Sequence, residues 1–291
     1  MKIIVPTNNK GGVGKTKISV ILSEYFAKVE GRKTLGIDLD PQCNFSNNFV
    51  NMEVDPLYPQ GKIPPIHPDY DPNSPDDADW DGRSSIANIY FGVPVFPYPT
   101  ALENFEIAVG NAEDLELAQQ VRRNEAAEKI HNQLHLLLSS SEVRDEYEIV
   151  IIDTAPSKGP LTISAIKAAD YLIIPSVMEE QPIQGVYGMM QLWMQESMAR
   201  PKDRPLDLLG ILPNMFRNTK LHSDILESLQ KDPAIGEYVI PHKLGQRTAY
   251  AEVDVKGISP ESIFDLSNNH LAKQQALQVC QYISKRVLNN E

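Results

Sequence analysis

A glycine- and lysine-rich loop between an apolar strand and an amphipathic helix constrains this chain more than any other feature of its sequence. The loop reads Asn-Asn-Lys-Gly-Gly-Val-Gly-Lys-Thr at residues 8–16. It follows an apolar run at residues 3–5, and residues 14–29 have apolar side chains at helical spacing. A strand that turns through glycines into a helix N-terminus directs backbone N–H groups at one point, where an anion is stabilised. The sequence therefore predicts a phosphate-binding loop.

Two residues of the loop have the side chains that nucleotide binding requires. Lys15 is placed to reach the β- and γ-phosphates of ATP, and the Thr16 hydroxyl is placed to bind Mg²⁺. The usual pattern has a further glycine five residues before Gly14, but Asn9 stands there and a Lys-Gly-Gly triplet follows at residues 10–12. We therefore expect ATP and Mg²⁺ as cofactors of a variant phosphate loop with a second lysine.

Apolar runs elsewhere predict a parallel sheet that is covered by helices. They lie at residues 34–37, 149–152, 171–174, 208–212 and 238–240. These runs are apolar throughout rather than alternating, which is typical of strands buried on both faces. Helical spacing recurs at about 113–138 and 270–288. The sequence therefore predicts an α/β fold, an open and mostly parallel twisted sheet flanked by helices, in a single domain over residues 1–291.

Residues 51–100 interrupt this alternation with a proline-rich, acidic insertion. The segment holds 10 of the 22 prolines, and eight acidic against two basic residues give it a charge of −6, half of the net −12. Such a composition disfavours a packed core. We expect a surface insertion with a long, partly disordered loop over residues 55–81. A role as a lid or as a partner-binding segment is the alternative.

Acidic residues follow two of the predicted strands. Asp38 and Asp40 come at the end of the strand at 34–37, and Asp153 directly follows the run at 149–152. The carboxyl ends of parallel strands are where open α/β sheets bind ligands, so these carboxylates are expected beside the phosphate loop. Mg²⁺ keeps much of its hydration in proteins, and we expect Asp153 to hold it through water.

The loop resembles that of the deviant Walker A ATPases, whose pattern is K-G-G-x-x-K-[ST]. This family comprises the ParA partition ATPases and their MinD and nitrogenase-iron-protein relatives. The resemblance implies the P-loop NTPase fold. It also implies that Lys10 crosses a two-fold interface to the ATP of another subunit, as an arginine finger does in trans. The D-x-D-P-Q segment at residues 38–42 and the D-T-x-P segment at residues 153–156 resemble the two switches of the family.

The switches imply roles for the carboxylates. Asp40 would orient the attacking water, and Asp38 would lie near the magnesium. The expected catalytic residues are therefore Lys10, Lys15 and Asp40. The expected metal-binding residues are Thr16, Asp38 and Asp153.

Weaker resemblances extend the site to the nucleotide base. Asn214 stands where relatives place an asparagine on adenine, and Pro241 stands where a loop backbone packs against the base. Lys17 occupies the position where the family usually has a second Thr or Ser facing the α-phosphate. The expected nucleotide-binding residues are Lys10, Gly11, Gly12, Val13, Gly14, Lys15, Thr16, Lys17, Asn214 and Pro241.

Charge and cysteine content narrow the function classes. With a net charge of −12, any DNA contact must come from a local basic patch. Cys43 and Cys280 are far apart, which disfavours a disulfide scaffold and a nitrogenase-type cluster, and suits a reducing cytoplasm. No run approaches 18 apolar residues, and the helix at 270–288 lacks the broad basic face of a membrane-surface helix. We therefore expect a cytoplasmic protein with no membrane partner.

The resemblance implies a slow ATP hydrolase that forms a homodimer when it binds ATP. It also implies that the ATP-bound dimer binds DNA without sequence preference, and therefore associates with the nucleoid. Such a protein positions a plasmid, a chromosome or a protein body, together with an adaptor of the ParB type that stimulates hydrolysis. A MinD-like membrane-associated regulatory ATPase is the alternative. Basic residues are frequent after residue 200. The DNA-binding candidates are Arg217, Lys220, Lys243 and Arg247.

Overall fold

The strands of the protein lie where the apolar runs predict them, with further short strands in and after residues 51–100. The structure, a computed structural model, describes residues 1–121, 124–255, 257 and 259–288. Its strands are β1 (Lys2–Pro6), β2 (Thr34–Leu39), β3 (Glu53–Val54), β4 (Lys62–Ile63), β5 (Tyr98–Pro99), β6 (Phe105–Ala108), β7 (Ile149–Thr154), β8 (Tyr171–Ser176) and β9 (Asp207–Pro213).

Helices alternate with these strands along the chain. They are α1 (Lys15–Glu24), α2 (Asn44–Phe49), α3 (Ala112–Gln119), α4 (Asn124–Leu138), α5 (Ser141–Glu146), α6 (Pro160–Ala168), α7 (Glu180–Ala199), α8 (Lys220–Lys231), α9 (Ala249–Glu252) and α10 (Leu271–Leu288). A π-helical turn, Tyr25–Val29, continues α1, so the helices predicted over 14–29 and 270–288 are confirmed. Within the described ranges, none of the helices combines the length and the apolar character needed to cross a membrane.

One open sheet organises the molecule. In the described part of the chain its strand order is β5-β6-β2-β7-β1-β8-β9. All neighbours are parallel except β5, which pairs antiparallel with β6 at the edge. The predicted mostly parallel sheet is therefore confirmed. Because β1 and β2 both lie next to β7, the carboxyl ends of these three strands meet at the centre of one edge.

Both faces of the sheet are buried. Along β7, Val150 and Ile152 face one hydrophobic cluster, and Ile149 and Ile151 face the other, as the two-residue period of a strand requires. The first cluster is completed by α3, α4, α6 and α7, and the second by α1 and α10. This double burial explains why the strands read as continuous apolar runs in the sequence.

The strand predicted over residues 238–240 is wrong. Gly236–Tyr238 form a 3₁₀ turn, and Val239 alone makes an isolated parallel bridge, to Ile211. The Ile240 N–H donates to the Ile211 carbonyl oxygen at 2.9 Å, but the next ladder hydrogen bond would need an N–H at residue 213 of β9. Pro213 has none, so the pairing does not extend.

The single helix predicted over 113–138 is also wrong, because the chain forms two helices there. α3 ends at Gln119 and α4 begins at Asn124. α4 runs along α6, whereas α3 contacts both α6 and β4 of the insertion. Helical periodicity is a local signal, and it does not reveal that one of two successive stretches has an additional packing partner in the insertion.

In the insertion at residues 51–100, aromatic rings pack against one another around the buried His67 and Tyr98. It contains the β3–β4 hairpin and short 3₁₀ turns, and it returns to the sheet through β5. The ring centroids of His67 and Tyr98 lie 4.6 Å apart, and those of Trp80 and Phe96 lie 5.0 Å apart. The expected partly disordered loop is therefore wrong, because the aromatic residues between the prolines and acids supply a small core of their own.

Candidate functional site

The loop between β1 and α1 has a backbone that only its glycines permit. Gly12 has φ of +72° and Gly14 has φ of +84°, both in the left-handed region. A Cβ at Gly14 would lie 2.3 Å from the side-chain nitrogen of Asn214. Gly14 is the N-cap of α1 and provides no side-chain hydrogen bond, and no acidic residue lies in the first turn. The N–H groups at the start of α1 are therefore available to an anion from outside the chain.

Lys15 is buried at the start of α1, and its ammonium group lies over the loop. Its Nζ donates to the Lys10 carbonyl oxygen at 3.4 Å, and the residue is 7% exposed. Burial lowers the pKa of the Lys15 ammonium, while the charges of Asp153 and Asp40 oppose that change. Among the described residues this long hydrogen bond is the only one that the ammonium donates, so most of its donor capacity can serve an anion in the loop.

Asp153, in β7, is tied to the first turns of α1. Thr16 Oγ1 donates to one oxygen of its carboxylate at 2.7 Å, and Ser19 Oγ donates to the other at 2.9 Å. Burial raises the pKa of Asp153 to about 7, with the charge of Asp38 adding to the increase and the two hydroxyls opposing it. Thr16 and Asp153 are thus brought together. Sequence reasoning missed Ser19, whose only signal is its place one helical turn after Lys15.

Asp38 lies beside Asp153, because β2 and β7 are paired at these two residues. The Ser46 backbone N–H and hydroxyl both donate to Asp38 Oδ2 at 2.7 Å. Burial raises the pKa of Asp38 to about 6, and the hydrogen bonds from Ser46 oppose the increase. Two buried carboxylates side by side repel each other when charged, so a cation near them would stabilise the ionised forms.

Ser46 is a second residue that sequence reasoning missed. It is fully buried in α2, and its hydroxyl also accepts a hydrogen bond from the Gly110 N–H at 3.0 Å. Ser46 thereby ties Asp38 to α2 and to the chain that follows β6. No local pattern marks it, because one partner lies in β2 and the other in the segment that follows β6.

Asp40 is less buried than the other two carboxylates. Its Oδ1 accepts from the Gln42 N–H at 3.0 Å, and its carbonyl oxygen accepts from the Cys43 N–H at 2.8 Å. Its charge raises the pKa of Lys15, so it lies close to the ammonium group over the loop. Asp40 therefore heads a hydrogen-bonded turn at the open side of the site.

Lys10 lies at the rim of the loop. Its N–H donates to Asn8 Oδ1 at 3.0 Å, which holds the backbone of the loop. Its half-buried side chain runs along α7, since a Cβ at Gly185 would lie 2.7 Å from Lys10 Cγ. In the described ranges the Lys10 ammonium has no ion-pair partner. Sequence reasoning did not anticipate that Gly185 makes room for this side chain.

A cavity of about 280 Å³ borders the loop on the side of Asn214. Asn214 is 5% exposed, and its Nδ2 donates to the Val13 carbonyl oxygen at 2.8 Å. Lys17 reaches the same cavity and forms an ion pair with Asp254. The remaining walls are Ile21, Met215, Leu244, Gly245, Gln246, Arg247, Tyr250 and Ala251. Pro241 is exposed and lies outside these walls, at the start of the loop that leads to Leu244.

The DNA-binding candidates Arg217 and Lys220 lie where β9 leads into α8. Arg217 forms an ion pair with Glu179, and both side chains are about half exposed. Lys220 is the first residue of α8 and is exposed. The charge of Arg217 is partly offset by Glu179, whereas Lys220 forms no ion pair with any described residue.

Lys243 and Arg247 approach the same corner, because Phe216 and Gly245 form an isolated parallel bridge. Lys243 Nζ lies 3.6 Å from the centroid of the Phe216 ring, in a cation–π contact. Arg247 Nε donates to Gln275 Oε1 at 3.3 Å, and Arg247 also lines the cavity beside Asn214. At this corner Lys243 contacts the residue that precedes Arg217, Lys220 begins α8, and Arg247 is turned partly toward the cavity.

The sequence of the chain is similar to those of known proteins. Residues 1–199 match the model of a family described as an AAA domain. The chain is 31% identical over 275 residues to the uncharacterized protein MJECL24 of Methanocaldococcus jannaschii, with 92% of this chain and 93% of the other covered. It is 27% identical over 235 residues to the chromosome-partitioning ATPase Soj of Thermus thermophilus, with 77% and 74% covered.

A solved structure shares the fold. The ATP complex of McdA from Cyanothece superimposes with a TM-score of 0.73 at 17% identity, and the match covers 100% of this chain and 97% of the other. The family model spans more than half of the chain and includes the phosphate loop, Asp38 and Asp153. The chain therefore belongs to the AAA-domain family, among the ParA/MinD-type ATPases.

Proposed function

We propose that this ATPase partitions or positions a cargo by closing into a homodimer on ATP, binding DNA without sequence preference and releasing it after hydrolysis. The observation that carries the proposal is the pair of lysines in one loop. Lys15 is buried over the phosphate site, whereas Lys10 lies at the rim and has no ion-pair partner among the described residues. One buried cation is enough to hold a nucleotide within the chain, so the rim cation is free to serve a second subunit.

Within one subunit, the start of α1 and Lys15 bind the phosphates. The N–H groups of the first turn lack a side-chain cap, so they donate to phosphate oxygens. Lys15 exchanges its long hydrogen bond to the Lys10 carbonyl oxygen for the β- and γ-phosphates. The base occupies the cavity beside Asn214, which the loop after Pro241 encloses.

The donor set around Asp153 fits a magnesium ion. Thr16 provides a hydroxyl, and Asp153 and Asp38 provide buried carboxylates on paired strands. Mg²⁺ takes such oxygen ligands, usually one or two carboxylates completed by water and substrate phosphates. Thr16 and Asp153 would hold the ion, with Asp38 beside it. When bound, Mg²⁺ neutralises charge on the β- and γ-phosphates.

Hydrolysis depends on Asp40 and on the second subunit. Asp40 orients the attacking water at the open side of the site. Lys10 of one subunit stabilises charge on the phosphates of the other, so an isolated subunit hydrolyses ATP slowly. An adaptor that favours the closed dimer then stimulates hydrolysis.

The dimer also provides the DNA-binding surface. Two copies of the corner that holds Arg217, Lys220, Lys243 and Arg247 neutralise twice as many DNA phosphates as one copy. The ATP-bound dimer is therefore associated with the nucleoid, and the free subunit stays in the cytoplasm. The similarity to a chromosome-partitioning ATPase supports the partitioning role in this proposal.

Replacing the buried lysine tests the nucleotide site. Lys15→Ala removes the cation held over the loop, and it is expected to weaken ATP binding about 100-fold, the scale of a charge-assisted hydrogen bond. Titration calorimetry measures the affinity. The control is Lys28→Ala, which removes a lysine from the π-helical turn after α1, where it pairs with Asp265 away from the loop. Near wild-type ATP affinity in Lys15→Ala would contradict the proposed site.

A further inference from the structure

Lys17 is a positive charge at a place where an anion is the favoured neighbour. It lies in the first turn of α1, and the positive end of the helix dipole disfavours a cation there. Its ammonium group forms an ion pair with Asp254, which follows α9. The Lys17 side chain is 21% exposed and that of Asp254 is 37% exposed, so the pair is partly shielded from water. The carboxylate of Asp254 thus supplies the anion that this position requires.

The ion pair stands between two cavities. Lys17 and Asp254 both line the cavity of about 280 Å³ beside Asn214, and both line a neighbouring cavity of about 420 Å³ whose walls include Thr16 and Asn44. A nucleotide with its base in the first cavity and its outer phosphates in the loop passes its α-phosphate next to Lys17. The α-phosphate and Asp254 are therefore two anions that compete for one ammonium group.

In the described part of the chain Asp254 forms an ion pair with Lys17 and with no other cation. It also lines a third cavity, with Glu24, Asp265 and Lys28 among its walls, and there Lys28 pairs with Asp265. Releasing Lys17 would therefore leave the Asp254 carboxylate without its ion-pair partner, beside the acidic side chains of this third cavity. The ion pair therefore leaves Lys17 available to a nucleotide in only part of the population.

We propose that Asp254 is a built-in competitor of the nucleotide, which binds by exchanging this carboxylate for its α-phosphate on Lys17. The inference rests on the proposed nucleotide site and adds a control on its affinity. A site that is available only in part of the population has an apparent affinity reduced by that fraction. The chain around Asp254 stays anchored after the exchange, because Tyr250 donates to the Ala272 carbonyl oxygen at 3.3 Å and Val253 is buried.

Removing the competitor tests the proposal. Asp254→Asn frees Lys17, so ATP and ADP, which share the α-phosphate, should both bind about two- to five-fold more tightly at low salt, the range of a partly exposed ion pair. The gain should shrink as salt screens the pair. Calorimetry with ATP and with ADP measures both affinities. The matched control is Glu227→Gln, which breaks the exposed Lys231–Glu227 pair in α8, outside these cavities, and should leave both affinities unchanged.

A second variant tests whether the gain acts through Lys17. Lys17→Met keeps the length of the side chain without its charge. It should weaken ATP binding and ADP binding by about the same factor as each other, because both nucleotides carry the α-phosphate. Asp254→Asn should then give no gain in the Lys17→Met background, a coupling that a double-mutant cycle measures. Melting temperatures establish that each variant is folded. Unchanged or weaker binding in Asp254→Asn, or a gain that persists without Lys17, would overturn the inference.

The two proposals fail in different ways. If the wild-type chain binds neither ATP nor ADP, the proposed nucleotide site is wrong, and the proposed role of Asp254 is then wrong as well. If the wild-type chain binds both and Lys15→Ala abolishes binding, while Asp254→Asn has no effect, the nucleotide site stands and only the role of Asp254 is overturned.

Discussion

Three carboxylates lie at the candidate site, and they differ in burial and in hydrogen bonding. Asp38 and Asp153 are fully buried and accept hydrogen bonds from Ser46 and from Thr16, respectively. Asp40 is partly exposed, and one of its carboxylate oxygens accepts no hydrogen bond from any described residue. Buried and held carboxylates suit a fixed metal site, whereas a carboxylate with an open oxygen can orient a water molecule.

Asp40→Ala should therefore separate ATP binding from hydrolysis. We expect the affinity for ATP to change by less than about threefold and the turnover rate to fall about 100-fold or more, the range for a lost general base. Water orientation is an interaction of the transition state rather than of the ground state. Calorimetry and single-turnover phosphate release measure the two effects. Asp207→Ala, at the opposite end of the sheet in β9, is the control, and equal losses of affinity and turnover would make Asp40 a binding residue.

Among the elements, α1 connects the phosphate site to a buried acid at its other end. Glu24, the last residue of α1, is 7% exposed and accepts a hydrogen bond from Ser262 Oγ at 2.8 Å. Burial raises the pKa of Glu24 to about 7, and the hydroxyl of Ser262 opposes the increase. The folded protein therefore binds the Glu24 proton more tightly than the unfolded chain does.

Because of this difference in proton affinity, the contribution of Glu24 to the free energy of unfolding decreases as the pH rises. The stability that protonated Glu24 contributes is complete below about pH 4.5 and is lost as the pH rises through about 7. Glu24→Gln does not titrate, so between about pH 5 and about pH 8 it should lose less stability than the wild type, by an amount on the order of 2–3 kcal/mol. Thermal melts across that range measure the difference. Glu128→Gln, an exposed position in α4, should follow the wild type, and parallel pH profiles for Glu24→Gln and wild type would refute the prediction.

In the whole molecule, strand order separates acidic and basic regions. The insertion at 51–100, with its charge of −6, joins the sheet at the β5–β6 edge. The DNA-binding candidates follow β9, the opposite edge strand. A chain with a net charge of −12 can thus still present a basic corner to DNA, because the acidic segment lies across the sheet from it.

Assembly and DNA retention should depend on the rim lysine. We expect a monomer without nucleotide or with ADP, and a dimer with ATP in an Asp40→Ala background that preserves the nucleotide. Lys10→Ala in that background should bind ATP but neither dimerise nor retain DNA, because the cation that crosses to the other subunit is missing. Light scattering and gel shifts at matched salt measure both properties. Lys129→Ala, exposed in α4, is the control, and a Lys10→Ala protein that dimerises and shifts DNA as its parent does would remove the crossing-lysine mechanism.

The sequence by itself determined the features that depend on neighbouring residues. The phosphate loop could be recognised because glycine conformation, a helix N-terminus and Lys15 with Thr16 act within one short segment. Five strands were predictable from continuous apolar runs, since a strand that is buried on both faces needs apolar side chains at successive positions of its own sequence. The placement of Asp38 and Asp153 at strand ends followed from the same runs.

Only the tertiary structure decided which distant groups meet. Ser19 donates to Asp153, and Ser46 joins Asp38 to Gly110. Asp254 pairs with Lys17. These contacts join distant parts of the chain, so no periodicity in the local sequence predicts them. The break between α3 and α4 and the aromatic interior of the insertion likewise depend on packing partners elsewhere in the chain. Local propensities act over a few residues, whereas hydrogen bonds and ion pairs of this site are set by strand order and by the helices that cover the sheet.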